Sequence, residues 1–157
     1  MQIDIHSRDS IETLLQEGFP ANTAVISFYD APTERNYKYN FFPQSVDYSG
    51  KTERVFKIAL HDIAIMEVGE YNLTYETYFP EADDLAQFIY AAKADGLDII
   101  CQCEYGQSRS PGCAAAIMEH FEKQGISIFA DFRYSPNQMV YHKVFHALEK
   151  HSKTGGA

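Results

Sequence analysis

The sequence predicts an α/β fold, with a mostly parallel central sheet flanked by helices. Three observations carry that expectation. Short apolar stretches of strand character alternate with stretches whose apolar residues recur at helical spacing. Glycines and prolines (Gly18, Pro80, Gly96, Pro111, Pro136) fall at the joints between them. Strands separated by helices can pair in parallel only if the helices cross over the sheet, which covers both of its faces.

Taken in order, residues 2–6 form a short first strand. Asp9 and Glu12 have capping-box spacing, with Asp in place of Ser or Thr. They predict the start of a helix that carries Ile11, Leu14 and Leu15 and ends near Gly18. Residues 24–28 read as a buried strand, followed by a long irregular segment to about residue 52. Residues 54–60 alternate and give a further strand. Pro80 with Glu81, Asp83 and Asp84 then opens a helix, since acidic groups suit the positive end of its dipole. Leu85, Phe88, Ile89 and Ala92 make its core face, and Gly96 stops it. Residues 97–102 form another strand, and a helix runs from 111 to 124 with Ala114, Ile117, Met118 and Phe121 on one face. A last helix after Pro136 presents Tyr141, Val144, Phe145 and Leu148. The expected organisation is one domain over residues 1–150 and a flexible tail over 151–157.

Composition bounds the function. Apolar residues make up 45% of the 157 and charged residues 22%, which suits an ordinary core and neither disorder nor a coiled coil. No apolar run reaches the length that spans a bilayer. The N-terminus lacks the basic and apolar regions of a secretion signal, so a cytoplasmic protein is expected. A net charge of -9 argues against nucleic-acid and membrane partners, because both reward a basic surface. Any anionic ligand must therefore be drawn by a local site. The cysteines are Cys101, Cys103 and Cys113. Such an odd cluster is a poor disulfide framework and suits a reducing compartment. Cys-x-Cys without a second pair is also a poor zinc site.

The segment Cys103-Glu104-Tyr105-Gly106-Gln107-Ser108-Arg109-Ser110 concentrates the chemistry. It joins a strand end to a helix start, where backbone N–H groups and the positive end of a helix dipole favour an oxyanion. Ligands of open α/β sheets bind at the carboxyl ends of strands. Ser110 is expected to cap the following helix, with Pro111 in its first turn. Cys103 faces that dipole and the Arg109 guanidinium, a setting that favours thiolate over thiol. Arg109 offers a planar fork for two phosphate oxygens, and Ser110 can donate to the sulfur when it leaves. An acid is needed for the leaving oxygen. Asp62, after the strand at 54–60, and Asp30, after the strand at 24–28, are both at the right end of the sheet.

Cys-x5-Arg, with a strand before it and Ser after the Arg, resembles the signature loop of the protein tyrosine phosphatase superfamily. The run from Cys103 to Pro111 is most similar to its small dual-specificity-like branch, bacterial predicted tyrosine phosphatases in particular. The similarity extends more weakly over about residues 54–148. It implies a phosphotyrosine protein phosphatase-like fold and metal-independent hydrolysis of a phosphomonoester through phosphocysteine, with no cofactor. By the resemblance Cys103 is the nucleophile. Arg109 and the amides of Glu104, Tyr105, Gly106, Gln107 and Ser108 hold phosphate, and an upstream Asp at a strand end is the acid, a position that Asp62 matches. The expected partner is a phosphorylated protein or a small phosphoester. One departure stands out: the family has His before the nucleophile, and here it is Gln102. That substitution keeps a rival open, a weak or inactive phosphate-binding module. A small-molecule phosphatase is the third reading, disfavoured for inositol phosphates because residues 104–108 hold no Lys or Arg.

Other candidates are weaker. Asn137 resembles the Pro-Asn that opens the family's last helix and is expected to cap it and to brace the loop. His61 is either a partner of the acid or a surface histidine, and Arg133 and Tyr134 lie close enough in sequence to Asn137 to reach the cleft. The aromatic stretch from Tyr29 to Tyr48 either walls the pocket or packs its loop on the domain, the latter being favoured. Cys101 should share a side of its strand with Cys103 and reads as a core residue. Glu104 should point away from the thiolate.

Overall fold

The strand that delivers Cys103 lies inside the sheet. The computed structural model describes residues 1–154. It has four parallel strands, β1 (Ile3–His6), β2 (Thr23–Tyr29), β3 (Val55–Ala59) and β4 (Asp98–Gln102), in the order β1-β4-β2-β3. The sheet is thus parallel throughout. Because side chains alternate along a strand, β2 and β4 feed two cores. Ala24, Ile26, Phe28, Ile99 and Cys101 enter the larger one. It is completed by α3 (Ala82–Ala94), α4 (Arg109–Glu122) and α6 (Gln138–Lys153). Val25 and Ile100 face the other way, into a smaller core with Ile11 of α1 (Arg8–Glu17), Val46 and Tyr48. Both faces are covered, which is why apolar residues fall on both sides of these strands and do not alternate with polar ones.

Several local expectations change. The cap of α1 is Ser7, whose Oγ accepts from the Ser10 amide at 3.0 Å, so the turn starts ahead of Asp9 and no Asp9–Glu12 box forms. The segment after β2 contains a short helix, α2 (Glu34–Tyr39). The loop after β3 contains a 3-10 helix at Ile65–Tyr71, and a single-turn helix, α5 (Ile126–Phe129), follows α4. These are too short for an apolar period to mark them. Helix α6 continues past residue 150, where the sequence reading begins the tail, to Lys153. The remaining residues, 155–157, lie outside the described ones. Among the described residues no helix is long and apolar enough to cross a membrane.

Helices α4 and α6 cross closely at their N-terminal ends. A Cβ on Gly112 would sit 2.6 Å from the Asn137 carbonyl oxygen, so only glycine allows this approach. The crossing seats the start of α6 beside the loop that begins α4.

Candidate functional site

Residues 103–108 run from the end of β4 to the start of α4. The loop is pinned from both sides. The Cys103 amide donates to the His6 carbonyl at 3.2 Å, and the Arg8 amide donates to the Glu104 carbonyl at 3.0 Å. On the far side, the amides of Ser135 and Asn137 donate to the carbonyls of Gln107 (2.8 Å) and Ser108 (2.9 Å). Gly106 turns the chain with φ +67°, and a Cβ there would lie 2.8 Å from the Ser7 nitrogen, so both conformation and space require glycine. The outward-facing carbonyls are thereby used. The amides of residues 104–109 donate to no acceptor among the described residues.

Cys103 is buried, and its Sγ lies 3.1 Å from the Ser110 Oγ and 3.5 Å from the Ser110 amide nitrogen. Ser110 is therefore inside the first turn of α4 and bonded to sulfur. The helix cap is Ser108, against the expectation that Ser110 would cap, so Pro111 is the third helical residue, still in the first turn. Ser108 Oγ makes no capping bond because it donates to Asp62 Oδ1 at 2.6 Å.

Arg109 is only 3% exposed. Its Nη1 donates to the Leu60 carbonyl at 2.7 Å, and Nη2 lies 2.8 Å from Asp30 Oδ1. Its Nε is buried without a partner among the described residues. An unsatisfied donor of this kind costs about 1–3 kcal/mol unless something accepts from it. Asp62, Cys103, Tyr105, Gln107, Ser108, Arg109 and Ser135 line a cleft of about 160 Å³.

The two candidate acids occupy different positions. Tyr29 pairs with Ala59 in the sheet register, so Asp30 and Asp62 both emerge at the carboxyl edge. Asp30 is paired with Arg109. Asp62 lines the cleft with Cys103, and its Oδ1 accepts from Ser108 Oγ and, at 3.0 Å, from Asn137 Nδ2. Asn137 does more than cap. Its Oδ1 accepts from the Val140 amide at 3.0 Å, while Nδ2 also reaches the Ile63 carbonyl at 3.0 Å. It thus clamps the Asp62 loop to the loop that precedes α4. Tyr78 donates to the His61 carbonyl at 2.6 Å, and burial pushes its hydroxyl well above the usual range, keeping it a donor. His61 packs on Tyr71 with ring centroids 4.5 Å apart. Burial lowers its pKa, partly offset by the charge of Asp30.

Gln102 has a definite task. Its Oε1 accepts from Ser27 Oγ at 2.5 Å and from the Tyr48 hydroxyl at 2.9 Å, and its Nε2 donates to the Cys103 carbonyl at 3.0 Å. All three side chains are buried, and burial pushes Tyr48 up to about 12. A neutral imidazole has one acceptor nitrogen, so it could not accept from both hydroxyls. Gln102→His should therefore destabilise the protein by about 1–3 kcal/mol, read as a lower urea midpoint with an unchanged slope. An unchanged midpoint would show that the triad does not brace the loop.

Glu104 turns to Arg8, with Nε to Oε2 at 2.8 Å, and does not line the cleft. Arg133 pairs with Asp131 and lies against Tyr134, and neither Arg133 nor Tyr134 lines the cleft. Of the aromatic stretch, Tyr48 packs edge-on to Phe19 in the smaller core, while Tyr37, Tyr39 and Phe41 are exposed and none walls the cleft. Cys101 is fully buried, and contact with Cys113 together with burial pushes its thiol far up. Sequence reasoning missed Ser27, Leu60 and Ser135, and read Tyr48 as a packing ring without its bond to Gln102. Only the polar residue inside an apolar strand at Ser27 gave any signal.

No protein-family model matches the chain, and no curated protein matches it in sequence. Solved structures do. The human tyrosine phosphatase-like serine/threonine/tyrosine-interacting protein superposes with a TM-score of 0.51 at 18% identity, over 96% of this chain and 87% of that one. PTPMT1 in complex with PI(5)P gives 0.51 at 13% identity, over 98% and 94%. The Cydia pomonella PTP-2 phosphatase gives 0.52 at 10% identity, over 93% and 85%. The chain therefore has the fold of the protein tyrosine phosphatase superfamily.

Proposed function

We propose that the protein is a cysteine-dependent phosphomonoester hydrolase that acts on phosphotyrosine in proteins. The observation that carries this reading is Arg109. It is a buried guanidinium with a free Nε, at the floor of a cleft it shares with Cys103 and Asp62. A phosphoryl group is the natural acceptor for that nitrogen and for the uncommitted amides of residues 104–109.

In the first step the Cys103 sulfur attacks phosphorus and the bond to the ester oxygen breaks. Asp62 gives its proton to that oxygen from Oδ2, the oxygen left free when Oδ1 is held by Ser108 and Asn137. In the second, water attacks phosphocysteine, Asp62 takes the proton, and the P–S bond breaks. Ser110 Oγ, 3.1 Å away, donates to the departing sulfur. Arg109 and the loop amides meet the negative charge throughout, so the scheme has no step for a metal. We place this activity in the cytoplasm, where the three free cysteines would stay reduced.

A second reading, a binding module without turnover, draws on the carboxylate of Asp30 beside Arg109, where it competes with an incoming anion. Turnover of para-nitrophenyl phosphate in EDTA separates the two. The hydrolase reading expects metal-free activity between pH 5 and 8. Inactivity across that range, with inorganic phosphate still bound, would replace it with the binding module.

A further inference from the structure

We infer that the groove beside the phosphate loop receives the residues next to phosphotyrosine, and that it selects peptides whose flanking side chains are apolar. This rests on the hydrolase reading of the cleft. The groove has a volume of about 670 Å³ and shares Asp62 and Ser108 with the smaller cleft. A group esterified to a phosphate held at Arg109 therefore leads from one into the other, and the size is that of a ligand site.

The walls define the occupant. Ile63, Ile65, Met66, Tyr75 and Met139 supply apolar surface. The charged residues are Asp62 and Glu67, no Lys or Arg lines the groove, and His142 is its one imidazole. An acidic peptide would place carboxylates against Asp62 and Glu67 without a cation to meet them. A phosphoinositide headgroup meets the same obstacle with more charge.

The rim is also built for apolar contact. Ile63 is part of the core, but Ile65 and Met66, on the 3-10 helix, are 53% and 86% exposed. Glu67 Oε1 accepts from the Ala64 amide at 2.8 Å, which closes the first turn of that helix and holds the rim in place. Large apolar side chains presented on a fixed turn, next to a cleft, gain most from an apolar partner.

The test compares kcat/KM of the full chain on two phosphotyrosine peptides of equal length. One has Leu and Ile beside the phosphotyrosine, the other Glu and Asp, with a short-chain phosphoinositide phosphate as a third substrate. The apolar peptide should be favoured by roughly tenfold or more, since burying one such side chain is worth that much. Met66→Glu and Ile65→Glu change exposed positions, and each should lower the ratio of apolar-peptide to para-nitrophenyl phosphate turnover about tenfold. Equal turnover of the peptides, or preference for the acidic peptide or the phosphoinositide, overturns the inference. Absence of turnover on every substrate sinks the hydrolase reading instead. In that case titration of the same peptides into the Cys103→Ser chain still decides selectivity, tighter binding of the apolar peptide supporting it and any other order overturning it.

Discussion

Cys103→Ser should lower turnover of an aryl phosphate by at least about 10⁴-fold while leaving inorganic phosphate binding in place. The size of the effect follows from what surrounds the sulfur. Its close neighbours are the Oγ and amide of Ser110, which stabilise negative charge and cannot remove a proton. A serine hydroxyl is a far weaker nucleophile unless its proton is removed, and Asp62, the one carboxylate lining the cleft, is committed in the first step to giving its proton to the leaving oxygen. On the proposed reading the oxyanion is held by Arg109 and the loop amides, which the substitution does not touch. Single-turnover kinetics with isothermal titration of phosphate would check both halves. Residual activity of more than a few per cent would mean that another group attacks phosphorus.

The parts of this site that were legible in the sequence are those the chain makes by itself. Strand, loop and helix are contiguous from residue 98 to 122, so their order alone puts Cys103, Gly106 and Arg109 at a strand end and Ser110 in a helix turn. Assigning the cap to Ser110 failed because Ser108 and Ser110 are equally good caps in isolation, and only the sulfur at 3.1 Å draws Ser110 inward. Gln102 looked like a defect, yet the register that sets Ser27 opposite it, and the return of the chain that brings Tyr48 over it, give it three partners. Such contacts join positions 54 and 75 residues apart and leave no periodic trace. The same holds for Arg109 with Asp30 and Leu60, which meet only after β2 and β3 pair.

Asp62→Asn should reduce kcat on an aryl phosphate by about 10²–10⁴-fold, and further on an alkyl ester whose leaving oxygen is more basic. The asparagine keeps an oxygen where Oδ1 accepts from Ser108 and Asn137, so the clamp on the loop persists and only the transferable proton is lost. Because the acid protonates the leaving oxygen, its loss should steepen the dependence of kcat on leaving-group basicity across a series of aryl phosphates. Asp30→Asn should behave differently. Asp30 stands at Arg109 Nη2, so removing its charge alters how the guanidinium meets phosphate and should move KM more than kcat, with kcat within about tenfold of wild type. This variant's dependence on leaving-group basicity should match that of wild type. A collapse of kcat and the steeper leaving-group dependence only in Asp30→Asn would exchange the two roles, with Asp30 giving the proton and Asp62 holding the loop through Ser108.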